Sequence, residues 1–154
     1  MIVWSKHTET GDFMDMLPAA SVLRDPGAGP SIMVVDSDRR ARSALKRLME
    51  ATHTNVLVTE IADAATALSA AQSAPFDLIL VDMRLPDPAS SCELIRKIGH
   101  HQHVVALSVR QDDARHARAA GARDFIWKTN SSDLILQAVR ATSVVSASAV
   151  ESPV

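Results

Sequence analysis

Short apolar runs alternate with longer amphipathic segments through the middle of this chain. The runs are rich in Val, Ile and Leu and carry few polar residues. Continuous apolar runs of this length are typical of strands that are buried on both faces of a parallel sheet. They occupy residues 32–35, 56–61, 78–81, 104–107 and 125–127.

The segments between these runs have the spacing of helices. In the first segment Ala41, Leu45 and Leu48 recur three or four residues apart, which places them on one helical face. Ser37 or Asp38 can cap its N-terminus. The same spacing predicts helices around residues 64–71, 94–98 and 112–120, and a last helix that begins at Ser131 or Ser132.

Five strand–helix units in succession predict an α/β fold. A parallel five-stranded sheet covered by helices on both faces would form a three-layer sandwich. Residues 31–142 would make up this domain. Residues 1–30 contain several Gly and Pro residues and are expected to form an irregular arm. Residues 143–154 are rich in Ser, Ala and Val and are expected to form a flexible tail.

Composition agrees with a single globular domain. The chain has 154 residues, of which 47% are hydrophobic and 22% charged. Its formal net charge of -2 gives no global electrostatic reason to bind nucleic acid or an anionic membrane. The single cysteine, Cys92, excludes an internal disulfide and fits a reducing compartment. No apolar run approaches the length of a membrane helix, so we expect a cytoplasmic protein without a membrane partner.

The polar residues that end the strands are the candidates for chemistry. Asp36, Asp82, Ser108 and Lys128 follow the first, third, fourth and fifth apolar runs. In open parallel sheets, ligands bind beyond the carboxyl ends of the strands, so these four residues should converge there. A carboxylate can attack phosphorus and form an acyl phosphate. Magnesium, an ammonium and a hydroxyl would stabilise the resulting dianion.

Four stretches of the sequence resemble the receiver domain of response regulators. They are IMVVDSD (32–38), DLILVDMRLP (77–86), VVALS (104–108) and AGARDFIWK (120–128). The segment that begins FIWKTNSS is similar to the end of NarL-type receivers. The resemblance covers roughly residues 31–142 and implies a flavodoxin-like fold, as in CheY. It also implies two-component or phosphorelay signalling, in which a histidine kinase or phosphotransfer protein donates a phosphoryl group.

The resemblance assigns a role to each matching residue. It implies that Asp82 is the phosphoacceptor and that Lys128 pairs with the phosphoryl group. Ser108 resembles the switch hydroxyl and Phe125 the switch aromatic residue. The implied Mg²⁺ ligands are Asp36, Asp82, the backbone carbonyl of Arg84 and, as an additional candidate, Asp38.

Four positions depart from the family pattern. Ser37 replaces the second acid of the metal site, which predicts weaker binding of Mg²⁺. In the family, a proline usually follows the lysine, and the bond between them is cis. Thr129 stands at this position here, so a cis peptide bond is not expected. Val109 replaces a small residue beside the acceptor. The loop 86–91 lacks the usual Asp-Gly.

These observations favour a phosphoacceptor that switches a protein-binding surface and does not turn over substrate as an enzyme. A pseudo-receiver, which keeps the fold and binds a partner without phosphorylation, is one alternative. A haloacid-dehalogenase-like phosphatase is another, because Asp36-Ser37-Asp38 resembles its Asp-x-Asp opening. The residues after the last predicted helix are too few for a helix-turn-helix. We therefore expect no direct DNA binding, and output through a protein partner or self-dimerisation.

Overall fold

A computed structural model describes residue 25 and residues 27–148, and it describes the side chains of all of these except residues 130 and 144–148. Most of the predicted N-terminal arm and residues 149–154 of the predicted tail lie outside this part. Five strands form in the described chain: β1 (Ser31–Val35), β2 (Leu57–Ile61), β3 (Leu78–Asp82), β4 (Val104–Ser108) and β5 (Asp124–Trp127).

Five helices alternate with these strands. They are α1 (Arg39–Thr52), α2 (Ala64–Ser73), α3 (Pro88–Ile98), α4 (Asp113–Ala120) and α5 (Ser131–Ser148), and a 3-10 turn at Lys128–Asn130 precedes the last one. None of the helices in residues 27–148 has the length and apolar character that crossing a membrane requires.

The strands form one sheet in the order β2-β1-β3-β4-β5, and all four neighbouring pairs are parallel. This is the flavodoxin-like arrangement, so the predicted α/β three-layer fold is confirmed. The chain moves outward from β1 in one direction to β2 and in the other direction to β3. The carboxyl ends of β1 and β3 therefore border the crevice in which ligands bind in such sheets.

Two apolar layers cover the faces of the sheet. Successive strand residues point to opposite faces, so Ile32 and Val34 lie in one layer and Met33 and Val35 in the other. The first layer continues through Met49 and residues of α5, and the second through residues of α2, α3 and α4. The three central strands are almost completely buried, which explains why their sequences are apolar without alternation.

Two helix boundaries differ from the sequence-based expectation. Helix α3 begins at Pro88, several residues before the apolar spacing becomes visible, because Asp87 caps it and Pro88 occupies the first turn. Helix α5 continues to Ser148, past residue 142, where we expected the domain to end. Residues 143–148 contain no Gly or Pro that would end a helix.

Candidate functional site

The polar residues that follow the strands meet at the carboxyl edge of the sheet. Asp36 directly follows β1, Asp82 ends β3 and Lys128 directly follows β5. The parallel register of β1 with β3 and of β3 with β4 sets these strand ends side by side. The adjacency of the two aspartates is thus a consequence of the crossover at β1.

The ammonium group of Lys128 bridges the two aspartates. Its Nζ lies 2.8 Å from Oδ2 of Asp36 and 3.1 Å from Oδ1 of Asp82. The side chain of Asp36 is only 2% exposed and that of Asp82 10% exposed, whereas Lys128 keeps 25% of its side chain in solvent. Lysine is therefore the cation that holds two nearly buried carboxylates together.

The environment moves two pKa values at this cluster. Burial raises the pKa of the Asp82 carboxyl; Lys128 opposes the rise, and the negative charge of Asp36 adds to it. Burial alone would lower the pKa of Lys128, but its hydrogen bonds and charge interactions with both aspartates outweigh burial, and the pKa of Lys128 is raised. The lysine therefore stays charged while one of its carboxylate partners is held in an unfavourable, poorly solvated position.

Backbone groups fix the orientation of Asp36. Its Oδ1 accepts a hydrogen bond of 2.9 Å from the backbone N–H of Asp38. Its backbone carbonyl accepts one of 2.6 Å from Nη1 of Arg42, one turn into α1. No local sequence pattern indicates that the guanidinium of Arg42 reaches back to the end of β1.

Asp38 lies apart from the carboxylate cluster. It is the N-cap of α1, and its Oδ1 accepts a hydrogen bond of 2.8 Å from the backbone N–H of Arg40. Both Asp38 and Ser37 are exposed. The structure thus brings Asp36, Asp82 and Lys128 together, while the carboxylate of Asp38 is engaged with its own helix.

Ser108 is buried at the end of β4, but its hydroxyl does not bond to the cluster. Its Oγ donates to Oδ2 of Asp113 over 2.5 Å and accepts a hydrogen bond of 3.0 Å from the backbone N–H of Arg110. Asp113 stands in the first turn of α4 and is itself buried. The partner of the predicted switch hydroxyl is therefore a carboxylate that the sequence did not single out.

Phe125 lies on the same side of the sheet as this pair. It is partly buried and packs against the apolar layer that includes Ala106 and the inner faces of α3 and α4. Two residues later, Trp127 is 43% exposed, and its indole N–H donates to the backbone carbonyl of Val109 over 3.0 Å. Val109 is 59% exposed. One side chain of β5 thus contacts the loop that carries Ser108.

The loop after Asp82 is held by Ser91, a residue that no sequence motif marks. The hydroxyl of Ser91, fully buried in α3, accepts from the backbone N–H of Leu85 over 3.0 Å and lies 3.0 Å from the backbone carbonyl of Asp82. Among the described residues, the one cis peptide bond joins Leu85 and Pro86, and the bond between Lys128 and Thr129 is not cis. Ser91 therefore fastens the loop that carries Arg84 to the start of α3.

The donor groups at this edge fit a magnesium site with two carboxylates. In the described part of the chain, no group of three or more His, Cys, Asp or Glu side chains is arranged to hold a metal. Asp36 and Asp82 are the two carboxylates at the crevice, and the loop backbone at Arg84 follows directly. Mg²⁺ is commonly held by one or two carboxylates and completes its coordination shell with water and phosphate oxygens. The two carboxylates and one backbone carbonyl at this edge are ligands of that type.

Two arginines line a cleft beside the carboxyl edge of the sheet. Arg84 follows β3 and Arg110 follows β4, and both line an open cleft of about 920 Å³ between α3 and α4. Neither guanidinium forms an ion pair with a carboxylate within residues 27–148. Both side chains are exposed, so their positive charges are accessible from this cleft.

Comparison with known proteins gives a consistent result. Residues 32–140 match the family described as the response regulator receiver domain. The nitrate/nitrite response regulator protein NarP of Escherichia coli (strain K12) is 26% identical over 121 residues, covering 75% of this chain and 56% of NarP. The chain thus spans little more than half the length of this relative.

Solved structures agree in fold. A response regulator from Thermotoga maritima is 27% identical and superimposes with a TM-score of 0.64, covering 75% of this chain and 98% of that one. The receiver domain of a sensor histidine kinase from Pseudomonas aeruginosa PAO1, solved with magnesium coordinated in its active site cleft, is 25% identical with a TM-score of 0.63, covering 74% and 97%. Because the family match extends over most of the chain and the fold agrees with it, this chain belongs to the response regulator receiver domain family of two-component signalling.

Proposed function

We propose that Asp82 accepts a phosphoryl group from a histidine kinase or a phosphotransfer protein. The observation that carries this proposal is the contact of Lys128 with both Asp82 and Asp36 at the carboxyl ends of β1, β3 and β5. A cation bonded to the acceptor in the resting state is already placed to pair with a phosphoryl group there. Turnover of a separate substrate is not part of this proposal, since receiver domains are generally not enzymes.

The chemistry needs a nucleophile and groups that stabilise negative charge. An oxygen of the Asp82 carboxylate would attack the phosphorus atom in line with the leaving histidine nitrogen, forming an acyl phosphate. Lys128 would stabilise charge on a phosphoryl oxygen. Mg²⁺, held by Asp36, Asp82 and the backbone carbonyl of Arg84, would neutralise charge on the transferred group. We leave Asp38 out of this ligand set because its carboxylate caps α1.

The signal would then pass to the surface of the domain. In this proposal the hydroxyl of Ser108 bonds to a phosphoryl oxygen and Phe125 moves inward, which alters the surface formed by α4, β5 and α5. A protein partner or a second copy of the chain would recognise the altered surface. In this proposal the protein acts in the cytoplasm.

A phosphodonor assay tests the proposal. The protein is incubated with acetyl phosphate and Mg²⁺, and its intact mass is measured with and without an Asp82→Asn substitution. We expect an adduct of one phosphoryl group that hydroxylamine removes and that Asp82→Asn abolishes. Asp112→Asn is the matched control, because Asp112 is exposed and its carboxylate forms no capping hydrogen bond.

The assay also separates the alternatives. Failure of the wild-type protein to form an adduct at saturating phosphodonor and Mg²⁺ would reject the proposal in favour of a pseudo-receiver. Hydrolysis of a phosphate ester that needs Asp36 but not Asp82 would support the haloacid-dehalogenase-like alternative. The family match favours the phosphoacceptor over the phosphatase. The contact between Asp82 and Lys128 favours it over the pseudo-receiver.

A further inference from the structure

The single proton of the Ser108 hydroxyl is already in use. Ser108 is 1% exposed, and its Oγ donates to Oδ2 of Asp113 while it accepts from the backbone N–H of Arg110. A serine hydroxyl has one proton to donate. As long as the Ser108 hydroxyl donates its hydrogen bond to Asp113, it cannot donate one to an oxygen of a phosphoryl group on Asp82.

Asp113 is well placed to retain the hydrogen bond from Ser108. Asp113 is 5% exposed, and a hydrogen bond in a poorly solvated site is electrostatically stronger than one in water. Its position in the first turn of α4 is one where a negative charge is favoured by the helix dipole. Rotation of Ser108 towards Asp82 would leave this buried carboxylate without its hydroxyl partner, which is costly.

We infer that Asp113 is a positioning residue that holds the Ser108 hydroxyl away from Asp82 until a phosphoryl group competes for its proton. This inference rests on the proposed phosphoacceptor function. It also provides a physical link from the site to the surface, because the bond that has to break is the one that joins the end of β4 to the start of α4. The strength of the hydrogen bond to Asp113 therefore sets how strongly a phosphoryl group on Asp82 must attract the Ser108 hydroxyl before that hydroxyl changes partner.

The test is a titration of the protein with beryllofluoride and Mg²⁺, which imitates a phosphoryl group on an aspartate without needing a kinase. Removing the competing acceptor by Asp113→Ala should tighten the apparent binding by about tenfold, the size expected for one hydrogen bond to a charged group. Asp113→Asn keeps a carbonyl oxygen that can accept the proton, so it should lie between Asp113→Ala and the wild type.

Two further variants separate positioning from general damage to the fold. Asp112→Ala removes a neighbouring, exposed aspartate with no capping bond and should leave binding unchanged. In a Ser108→Ala background, Asp113→Ala should change binding by less than about twofold, because there is no hydroxyl left to release. A merely structural role would change stability in both backgrounds and would not tighten binding in either.

The indole N–H of Trp127 reports on the same event. It donates to the carbonyl of Val109, the residue after Ser108, so its NMR resonance is sensitive to the position of this loop. In a Trp4→Phe background, which leaves one indole, Asp113→Ala should move this resonance part of the way towards its position in the beryllofluoride complex.

Each outcome decides the inference. Tighter binding by Asp113→Ala that depends on Ser108 supports it. Wild-type binding with no gain in Asp113→Ala would overturn the role of Asp113 and leave the phosphoacceptor function standing. If neither protein binds beryllofluoride, the phosphoacceptor function is rejected, and the role of Asp113 is rejected with it.

Discussion

Oδ1 of Asp82 lies 3.1 Å from Nζ of Lys128, and this contact links the end of the central strand β3 to the end of the edge strand β5. The contact places a positive charge against the residue proposed to receive the phosphoryl group. It also makes the stability of the domain depend on the charge of three side chains, because Asp36 shares the same ammonium.

The raised pKa of Asp82 predicts that Asp82→Asn does not destabilise the domain at neutral pH. A carboxyl group whose folded pKa lies above its unfolded pKa binds protons more tightly in the folded state. Its contribution to stability is full below the unfolded pKa of about 3.9 and is lost as pH rises through the folded pKa. Thermal melts should show Asp82→Asn to be at least as stable as the wild type at pH 7, with its advantage shrinking towards acid pH. A large loss of stability at pH 7 would contradict this.

Removal of Lys128 should have the opposite effect. Lys128→Met leaves two nearly buried carboxylates without their cation, and we expect a loss of about 3 kcal/mol in the free energy of unfolding at pH 7. Much of this loss should be recovered in the double variant Lys128→Met/Asp82→Asn. Urea denaturation measures both values. Lys97→Met, at an exposed lysine paired with Glu93, should change stability by less than about 0.5 kcal/mol.

Because the pKa of Lys128 is raised, its contribution is present through neutral pH and is lost only as pH rises through the folded value. The difference between the wild type and Lys128→Met should therefore persist at pH 7 and shrink in strongly alkaline solution. A difference that disappeared between pH 6 and pH 8 would point to another group.

Ser91 is predicted to stabilise the acceptor loop. Ser91→Ala leaves the backbone N–H of Leu85 without its acceptor, and we expect a loss of about 1–3 kcal/mol. The substitution should also slow formation of the acetyl phosphate adduct, since the loop at Arg84 loses its attachment to α3. Ser69→Ala, at an exposed serine of α2, is the control and should stay within about 0.5 kcal/mol of the wild type. If both substitutions changed stability and adduct formation equally, Ser91 would have no specific role in holding the loop after Asp82.

The aspartate that caps α2 should make stability depend on acid pH. Both carboxylate oxygens of Asp63 accept hydrogen bonds from Thr66, one from its backbone N–H and one from its hydroxyl, and these bonds lower the pKa of Asp63. Its contribution is therefore present above the unfolded pKa and is lost as pH falls through the lowered folded value. Asp63→Ala should lower the melting temperature at pH 7 and have little effect near pH 2. Asp112→Ala, at a helix start without a capping bond, should have little effect at either pH.

Magnesium binding should depend on Asp36 and not on Asp38. Asp36 contacts Lys128 in the cluster with Asp82, whereas Asp38 accepts a hydrogen bond from the backbone of α1. In a titration with Mg²⁺ followed by calorimetry, Asp36→Asn should abolish binding. Asp38→Ala should keep affinity within about threefold of the wild type and lower stability by about 1 kcal/mol, as expected for loss of a helix cap. Loss of Mg²⁺ binding in Asp38→Ala would contradict this prediction and indicate that Asp38 is a ligand.

The sequence by itself determined the fold and the location of the site. Five apolar runs interrupted by helical spacing define a parallel sheet, since strands buried on both faces must be apolar throughout. The residue that ends each run then lies at one edge of that sheet, so the approach of Asp36, Asp82 and Lys128 followed from topology alone.

Only the tertiary structure decided which partner each polar side chain has. The bonds from Ser108 to Asp113 and from Ser91 to the Asp82 loop depend on side-chain rotation and on where α3 and α4 begin. A helix start set by a cap and a proline, as at Asp87 and Pro88, shifts such partners without changing the apolar pattern. Apolar periodicity fixes which face of an element is buried. A hydrogen bond also requires two atoms to approach within about 3 Å, and that is settled only when the elements pack.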